Sequence, residues 1–174
     1  MEQLLNDDVV RLRAIEPTDL DLLYLWENDT TLWSVTDTQA PYSRQMLWQY
    51  LESYTGDIYE SKQVRFVVTL ADTGEAVGLL DLMNFDPLNN RAELGLYIAA
   101  EHRGKGYGRH ALKLIEAYAS QHIGLKQIYV MILTSGESCL QLFKSEGYRE
   151  VGTLKAWVKR GTTYHDAVLL QHLL

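Results

Sequence analysis

The sequence predicts an α/β fold: one domain, residues 1–174, built on a mixed twisted sheet of about seven strands flanked by four helices on both faces. Three observations carry that prediction. The apolar period switches repeatedly along the chain between that of a strand and that of a helix. No repeat, low-complexity tract or Ser/Gly-rich linker divides the chain. A length of 174 residues with 47% hydrophobic content and three prolines suits one compact core rather than disorder.

Taken in order, residues 9–15 (VVRLRAI) alternate apolar and basic as a half-buried strand does. Pro17, with Thr18 and Asp19 after it, suits the first turn of a helix carrying Leu20, Leu23 and Tyr24. Ser43 stands where it can cap a second helix, whose Leu47, Tyr50, Leu51 and Tyr54 recur at i, i+3, i+4 and i+7. Residues 64–70 and 76–85 read as a hairpin with Gly74 supplying the positive φ of its turn. Residues 91–99 form the next strand; Ala92, Leu94, Leu96 and Ile98 share one face, and Glu93, Gly95 and Tyr97 the other, with Gly95 leaving room above the sheet. Ala111, Leu112, Ile115, Tyr118 and Ala119 then make a helical stripe that Gly124 can stop. Residues 127–133 (QIYVMIL) read as a strand buried on both faces, and 137–146 as a helix closed by Gly147. Strands at 151–159 and 163–171 around an RGT turn complete the chain.

The stretch EHRGKGYGRH, residues 101–110, places Gly104, Gly106 and Gly108 directly before a helix, with Arg103, Lys105 and Arg109 between and beside them. Glycines let the backbone approach a ligand closely, and the helix start presents unpaired N–H groups and the positive end of its dipole. A phosphate or pyrophosphate suits such a place. The spacing is not that of a nucleotide P-loop, since Lys105 is followed by Gly106 and not by a hydroxyl. Nor is it the dinucleotide fingerprint, because the loop reads G-x-G-x-G and the element order is wrong for a doubly wound sheet.

The pattern R-x-x-G-x-G formed by Arg103, Gly106 and Gly108, after a strand and before a helix, resembles the signature of the GNAT N-acetyltransferases. The likeness extends over VVRLRAIEPTDLDLLYLWEN, RAELGLYIAAEHRGKGYGRHAL and SCLQLFKSEGY, hence over nearly the whole chain. The ribosomal-protein N-terminal acetyltransferases of the RimJ/RimL type and the bacterial spermidine acetyltransferases are the branches it is most similar to. This resemblance implies the GNAT acyl-CoA N-acyltransferase fold, acetyl-CoA as cosubstrate and no metal. It implies a primary amine as acceptor, either a small amine or polyamine or a protein N-terminus, which attacks the thioester directly. Coenzyme contacts are expected from Leu96, Tyr97 and Ile98 on the strand and from Arg103, Gly104, Lys105, Gly106, Tyr107, Gly108 and Arg109 in the loop. Acceptor contacts are expected from Trp26, Asn28, Asp29, Trp33 and Tyr164, with Glu27 among the acids of the same slot.

An alkylammonium with a pKa of about 10.4 holds on the order of 0.1% or less free base at neutral pH, so a group that takes its proton matters. Glu93 is the candidate base, corresponding to the strand glutamate some family members use. The family's general acid is missing: the positions where it carries Asn, and seven residues later Tyr, read Gly136 and Phe143 here. Ser135, Ser138, Tyr148 and Tyr164 are the available substitutes. Two departures bear on a polyamine acceptor, since an acidic pair before Pro41 is replaced by TQAP and Asn84 stands where an acid would help. The missing acid keeps open a second reading, a non-catalytic acyl-CoA-binding or sensing protein, which binding without turnover over a panel of amines would identify.

The net charge of −7 and the lack of a long apolar run argue against nucleic-acid and membrane partners. The single cysteine, Cys139, cannot form an internal disulfide, so a cytoplasmic location is expected. Composition leaves a homo-oligomer open.

Overall fold

The computed structural model describes residues 4–33 and 38–174; the N-terminal reading at Met1–Gln3 lies outside them. Strand β1 (Val10–Ala14) leads through a single 3-10 turn at Pro17–Asp19 into α1 (Leu20–Glu27). The Asp19 carboxylate fixes this entry, accepting from the Glu16 N–H at 2.8 Å and from both terminal nitrogens of Arg13 at 2.7 Å. Helix α2 (Arg44–Ser53) starts at Ser43, whose hydroxyl accepts from the Met46 N–H as an N-cap should. A helix absent from the sequence reading follows, α3 (Ile58–Ser61), capped by Asp57 on the N–H groups of Tyr59 and Glu60. Four residues are too few to display a helical period, so only the cap could have announced it.

Strands β2 (Val64–Leu70), β3 (Ala76–Asp86) and β4 (Arg91–Ile98) form an antiparallel meander. Helix α4 (Tyr107–Tyr118) continues as one wider turn to Ile123 and ends on Gly124 at φ 81°. Then come β5 (Gln127–Leu133), α5 (Glu137–Ser145) and the long hairpin β6 (Arg149–Arg160) and β7 (Thr163–Leu173). The seven strands lie in the order β1-β2-β3-β4-β5-β7-β6, and every neighbouring pair is antiparallel except β4 with β5. A parallel pair needs a long crossover, and the glycine loop with α4 is that crossover.

Each face of the sheet buries its own cluster. Leu112 and Ile115 of α4 and Phe143 of α5 pack on Val68, Leu80, Leu94 and Ile128. On the opposite face Leu23 and Trp26 of α1 and Leu47 and Leu51 of α2 pack on Val67, Leu79 and Ala99. Burying each such side chain contributes about 1.5–3 kcal/mol. The second cluster draws no residue from β5, which corrects the expectation that this strand is buried on both faces: Met131 is 36% exposed. Among the described residues no helix is long and apolar enough to cross a membrane.

Candidate active site

The glycine loop is open at the start of α4. Gly104 and Gly106 have φ of 76° and 87°, in the left-handed region, and a Cβ on either would meet nothing within 4 Å. Gly106 takes the N-cap position, where it has no side chain to offer the helix. The N–H groups of Gly106, Tyr107 and Gly108 find no hydrogen-bond acceptor among the described residues. Three main-chain donors are thus left without a protein partner at the positive end of a twelve-residue helix. Gly108 differs: a Cβ there would touch Leu142 of α5 and Leu96 and Ile98 of β4 at 3.4–3.7 Å. The loop, the strand before it and α5 therefore meet at one glycine.

The flanking cations are less free than their sequence positions imply. Arg109 pairs with Glu146 at 2.7 Å and donates to Ser145, tying α4 to the end of α5. Arg103 donates from Nε to the Ile98 carbonyl at 2.9 Å. Lys105 is exposed.

Below the loop the sheet is split. Strands β4 and β5 pair only from Arg91 to Glu93 and from Gln127 to Tyr129, then part while both run on. The Ala99 N–H bonds to Val77 across β3, and N–H directions alternate along an antiparallel strand, so those of Leu96 and Ile98 point into the gap. By the same alternation the Tyr97 amide is turned toward β3, and its ring packs edge-on against Trp26, 5.4 Å between centroids, on the other face.

Glu93 is the last paired residue of β4, at the vertex of the gap. It is half-buried, and its Oε2 accepts from Asn84 Nδ2 at 2.8 Å. Asn84 lies in a β-bulge of β3, where the register passes from Met83↔Glu93 to Asp86↔Arg91, and it adopts φ 51°. Arg91, two residues from Glu93 on the same face, pairs with Asp86 at 3.1 Å. The room expected above Gly95 is filled: a Cβ there would come within 2.6 Å of the Met83 methyl, the end of a flexible side chain that occupies the place.

Farther along the same face lies a charged group that sequence reasoning found only in part. Arg65 of β2 binds Asp81 of β3 through two nitrogens at 2.7 and 3.2 Å, and Glu27 of α1 at 2.7 Å. Burial acts to lower the guanidinium's pKa, but the two carboxylates hold it above the usual arginine value. Two acids against one base leave this cluster negative. Beside it is a cleft of about 240 Å³ lined by Glu27, Tyr42, Met46, Leu47, Tyr50, Gln63 and Arg65. Burial pushes the Tyr50 hydroxyl up to about 12. Glu27 was legible; Arg65 and Asp81 were not, although a charge interrupting each of two paired apolar strands was the available signal.

The expected acceptor residues divide. Trp26 is 7% exposed and belongs to the core beneath α1. Asn28 is a clamp, donating to the Tyr42 carbonyl at 3.0 Å and accepting from the Tyr42 N–H at 2.8 Å. Asp29 is partly exposed and accepts from the N–H and the hydroxyl of Thr31, which holds it below the usual carboxylate range. The Trp33 indole donates to the Glu27 carbonyl. Tyr164 stands on the β6–β7 hairpin, 61% exposed.

The acetyltransferase (GNAT) domain model matches residues 10–149 of this chain. The chain belongs to the GNAT acetyltransferase family. It is 26% identical to a spermidine N(1)-acetyltransferase of Escherichia coli K12 over 166 residues, 94% of this chain and 87% of that protein. A Vibrio cholerae spermidine N(1)-acetyltransferase is 28% identical over 143 residues, 82% of this chain and 80% of that one. The crystal structure of spermidine N-acetyltransferase from Vibrio cholerae in complex with CoA and spermine superposes with a TM-score of 0.86 at 25% identity, over 96% of each chain. The GNAT fold expected from sequence is therefore present, with five helices among the described residues where four were read. The protein is an acetyl-CoA-dependent N-acetyltransferase.

The acid expected of a GNAT enzyme stays missing at its usual place. Phe143 is 1% exposed, with its ring 4.9 Å from that of Tyr148. Tyr148 is itself buried, and burial with nearby Glu116 pushes its hydroxyl far up. Ser135 and Ser138 are exposed at the start of α5.

Proposed function

We propose that Glu93 is the general base of acetyl transfer and that the acceptor is a small polyamine of the spermidine type. The observation that carries the reading is the place of Glu93 at the vertex of the β4–β5 gap. The gap runs from the glycine loop to this carboxylate over about 16 Å of strand. A coenzyme whose pyrophosphate rests on the Gly106, Tyr107 and Gly108 amides can lay its arm along β4 against the Leu96 and Ile98 amides. Its acyl end then lies near the Glu93 carboxylate at the vertex. Glu93 takes one ammonium proton, which frees the nitrogen lone pair to attack the thioester carbon; the nitrogen's second proton is lost as the amide forms and is taken up by solvent or the departing sulfur. A β4 amide in the gap supports the negative oxygen that develops. The carbon–sulfur bond breaks, and the thiol leaves as a thiolate of pKa about 8.5, stable enough that a weak or solvent acid suffices.

Two observations favour a polyamine over a peptide N-terminus. The relatives named above are spermidine acetyltransferases. The negative cluster of Glu27 and Asp81 about Arg65, with Tyr50 beside it, offers a second cation a charged and aromatic wall on the face that carries Glu93. Self-association fits the same reading: β6 is an edge strand with Val151 and Trp157 exposed, and a Vibrio cholerae spermidine N-acetyltransferase is described as dodecameric. A cytoplasmic setting suits an acetyl-CoA-dependent enzyme with one unpaired cysteine.

The test is thiol release from acetyl-CoA with spermidine, spermine, putrescine and an unblocked peptide, with mass spectrometry of the products. Spermidine or spermine is expected to give the highest kcat/KM, and Glu93→Gln to lower kcat at least about 100-fold with CoA affinity retained. Preference for the peptide would overturn the acceptor assignment, and full turnover by Glu93→Gln the assignment of the base.

A further inference from the structure

We infer that Asn84 is a positioning residue for acetyl transfer: it holds Glu93 with a neutral donor, while Asp86, at the other end of the same bulge, diverts Arg91 from that carboxylate. The inference rests on the reading of Glu93 as base and adds the device that keeps it able to work.

The device is built into the backbone. Three steps along β3, from Met83 to Asp86, face two along β4, from Glu93 to Arg91. The extra residue puts Asn84 at φ 51°, a conformation that asparagine tolerates better than most side chains. Phe85 pins the bulge, with its ring 5% exposed and its N–H on the Lys62 carbonyl at 3.1 Å. Asn84 is thereby left exposed, its amide nitrogen 2.8 Å from Glu93 Oε2. The other carboxylate oxygen, Oε1, makes no hydrogen bond among the described residues and is available for a proton.

The charged and titratable groups around Glu93 show what the bulge achieves. From its own strand comes Arg91, from β3 Asp86, and from β5 Tyr129, whose hydroxyl is pushed up by burial and by Glu93 itself. Arg91 is the natural ion-pair partner, being two residues away on the same face. A guanidinium in contact with a carboxylate favours its ionised form by about 1–3 pH units and so weakens it as a base. Here Arg91 binds Asp86 at 3.1 Å instead, and the carboxylate is oriented by an amide that carries no charge.

The experiment compares wild type with Asn84→Gly, Asn84→Asp and Glu93→Gln. Glycine accepts the positive φ and removes only the amide; aspartate keeps the shape and adds a like charge. The Glu93 carboxyl is followed by carbon-13 NMR titration, which needs no acceptor, and kcat and KM are measured with acetyl-CoA and spermidine. Asn84→Asp is expected to raise the Glu93 midpoint by about one pH unit or more, with the acidic limb of the rate profile following it. Asn84→Gly is expected to lower kcat roughly tenfold, KM for acetyl-CoA and the melting temperature staying put. An unmoved midpoint with unchanged turnover in both variants would overturn the inference, and so would a fall in melting temperature with no change in the pH profile, which marks a purely structural role. Full turnover by Glu93→Gln would instead overturn the base, a result the NMR titration keeps distinct.

Discussion

Replacing Gly106 by valine tests the proposed coenzyme loop apart from the rest of the fold. Gly106 holds φ 87°, and a Cβ there meets no protein atom within 4 Å, so the main cost of a side chain at this position is conformational. For an L residue the left-handed region costs about 1–2 kcal/mol, and more for a β-branched one. A domain stable by about 5–15 kcal/mol survives that. Binding does not survive it as well. Relieving the strain turns the Gly106 and Tyr107 N–H groups from the positions in which the proposed site uses them, and each hydrogen bond to a charged oxygen is worth about 1.5–3 kcal/mol. The sum, roughly 3–6 kcal/mol, corresponds to a loss of about 10²- to 10⁴-fold in affinity for CoA. Calorimetric titration with CoA, set beside titration with pantetheine, isolates the pyrophosphate contribution, and circular dichroism melting checks the fold. CoA bound within about threefold of wild type by a folded Gly106→Val protein would refute the reasoning, because it would place the pyrophosphate away from these amides.

Asp81→Ala leaves the largely buried Arg65 guanidinium with Glu27 as its one carboxylate partner among the described residues, and should cost about 3–5 kcal/mol in urea unfolding; a loss under about 1 kcal/mol would show the cluster to be solvated. Arg109→Met should cut the tie to Glu146 and lower the melting temperature by up to about 3 °C, with CoA affinity changed less than about threefold; a larger affinity loss would assign Arg109 to the phosphate site. Asp19 carries the acid sensitivity of the β1–α1 corner. Burial acts to raise its carboxyl, but the Arg13 guanidinium and the Glu16 N–H outweigh burial and hold it below the ordinary aspartate value of 3.8. A depressed carboxyl contributes stability that is complete above its unfolded value and is lost as pH falls through its folded one. Asp19→Asn should therefore melt below wild type at neutral pH, with the two curves converging as pH drops under 3.8; a constant gap across that range would contradict the sign.

Legibility followed how local each signal is. Strands 64–70 and 127–133 were bounded to the residue, and the Ser43 cap and the Gly74 and Gly124 turns stand where their chemistry placed them. Strand β6 begins two residues before and ends one residue after its expected bounds, and β7 ends two residues after, because pairing between the strands, and not residue type, extends them. In the site, the open backbone before α4 was legible because three alternating glycines announce it locally. Arg109 was misleading, since its partner Glu146 is 37 positions away and only the packing of α4 on α5 joins them. Asn28 was misleading in the same way: its amide is saturated by the Tyr42 backbone.

The sequence by itself determined the order of elements, the positive-φ turns and the open amides at the start of α4, because each depends on residues within a few positions of one another. Tertiary structure alone decided where β4 and β5 part, which cation pairs with which acid, and that Asn84, not Arg91, reaches Glu93. Those outcomes rest on register and on distances between strands and helices remote in the chain. A carboxylate's chemistry is set by what lies within a few ångströms of it in space.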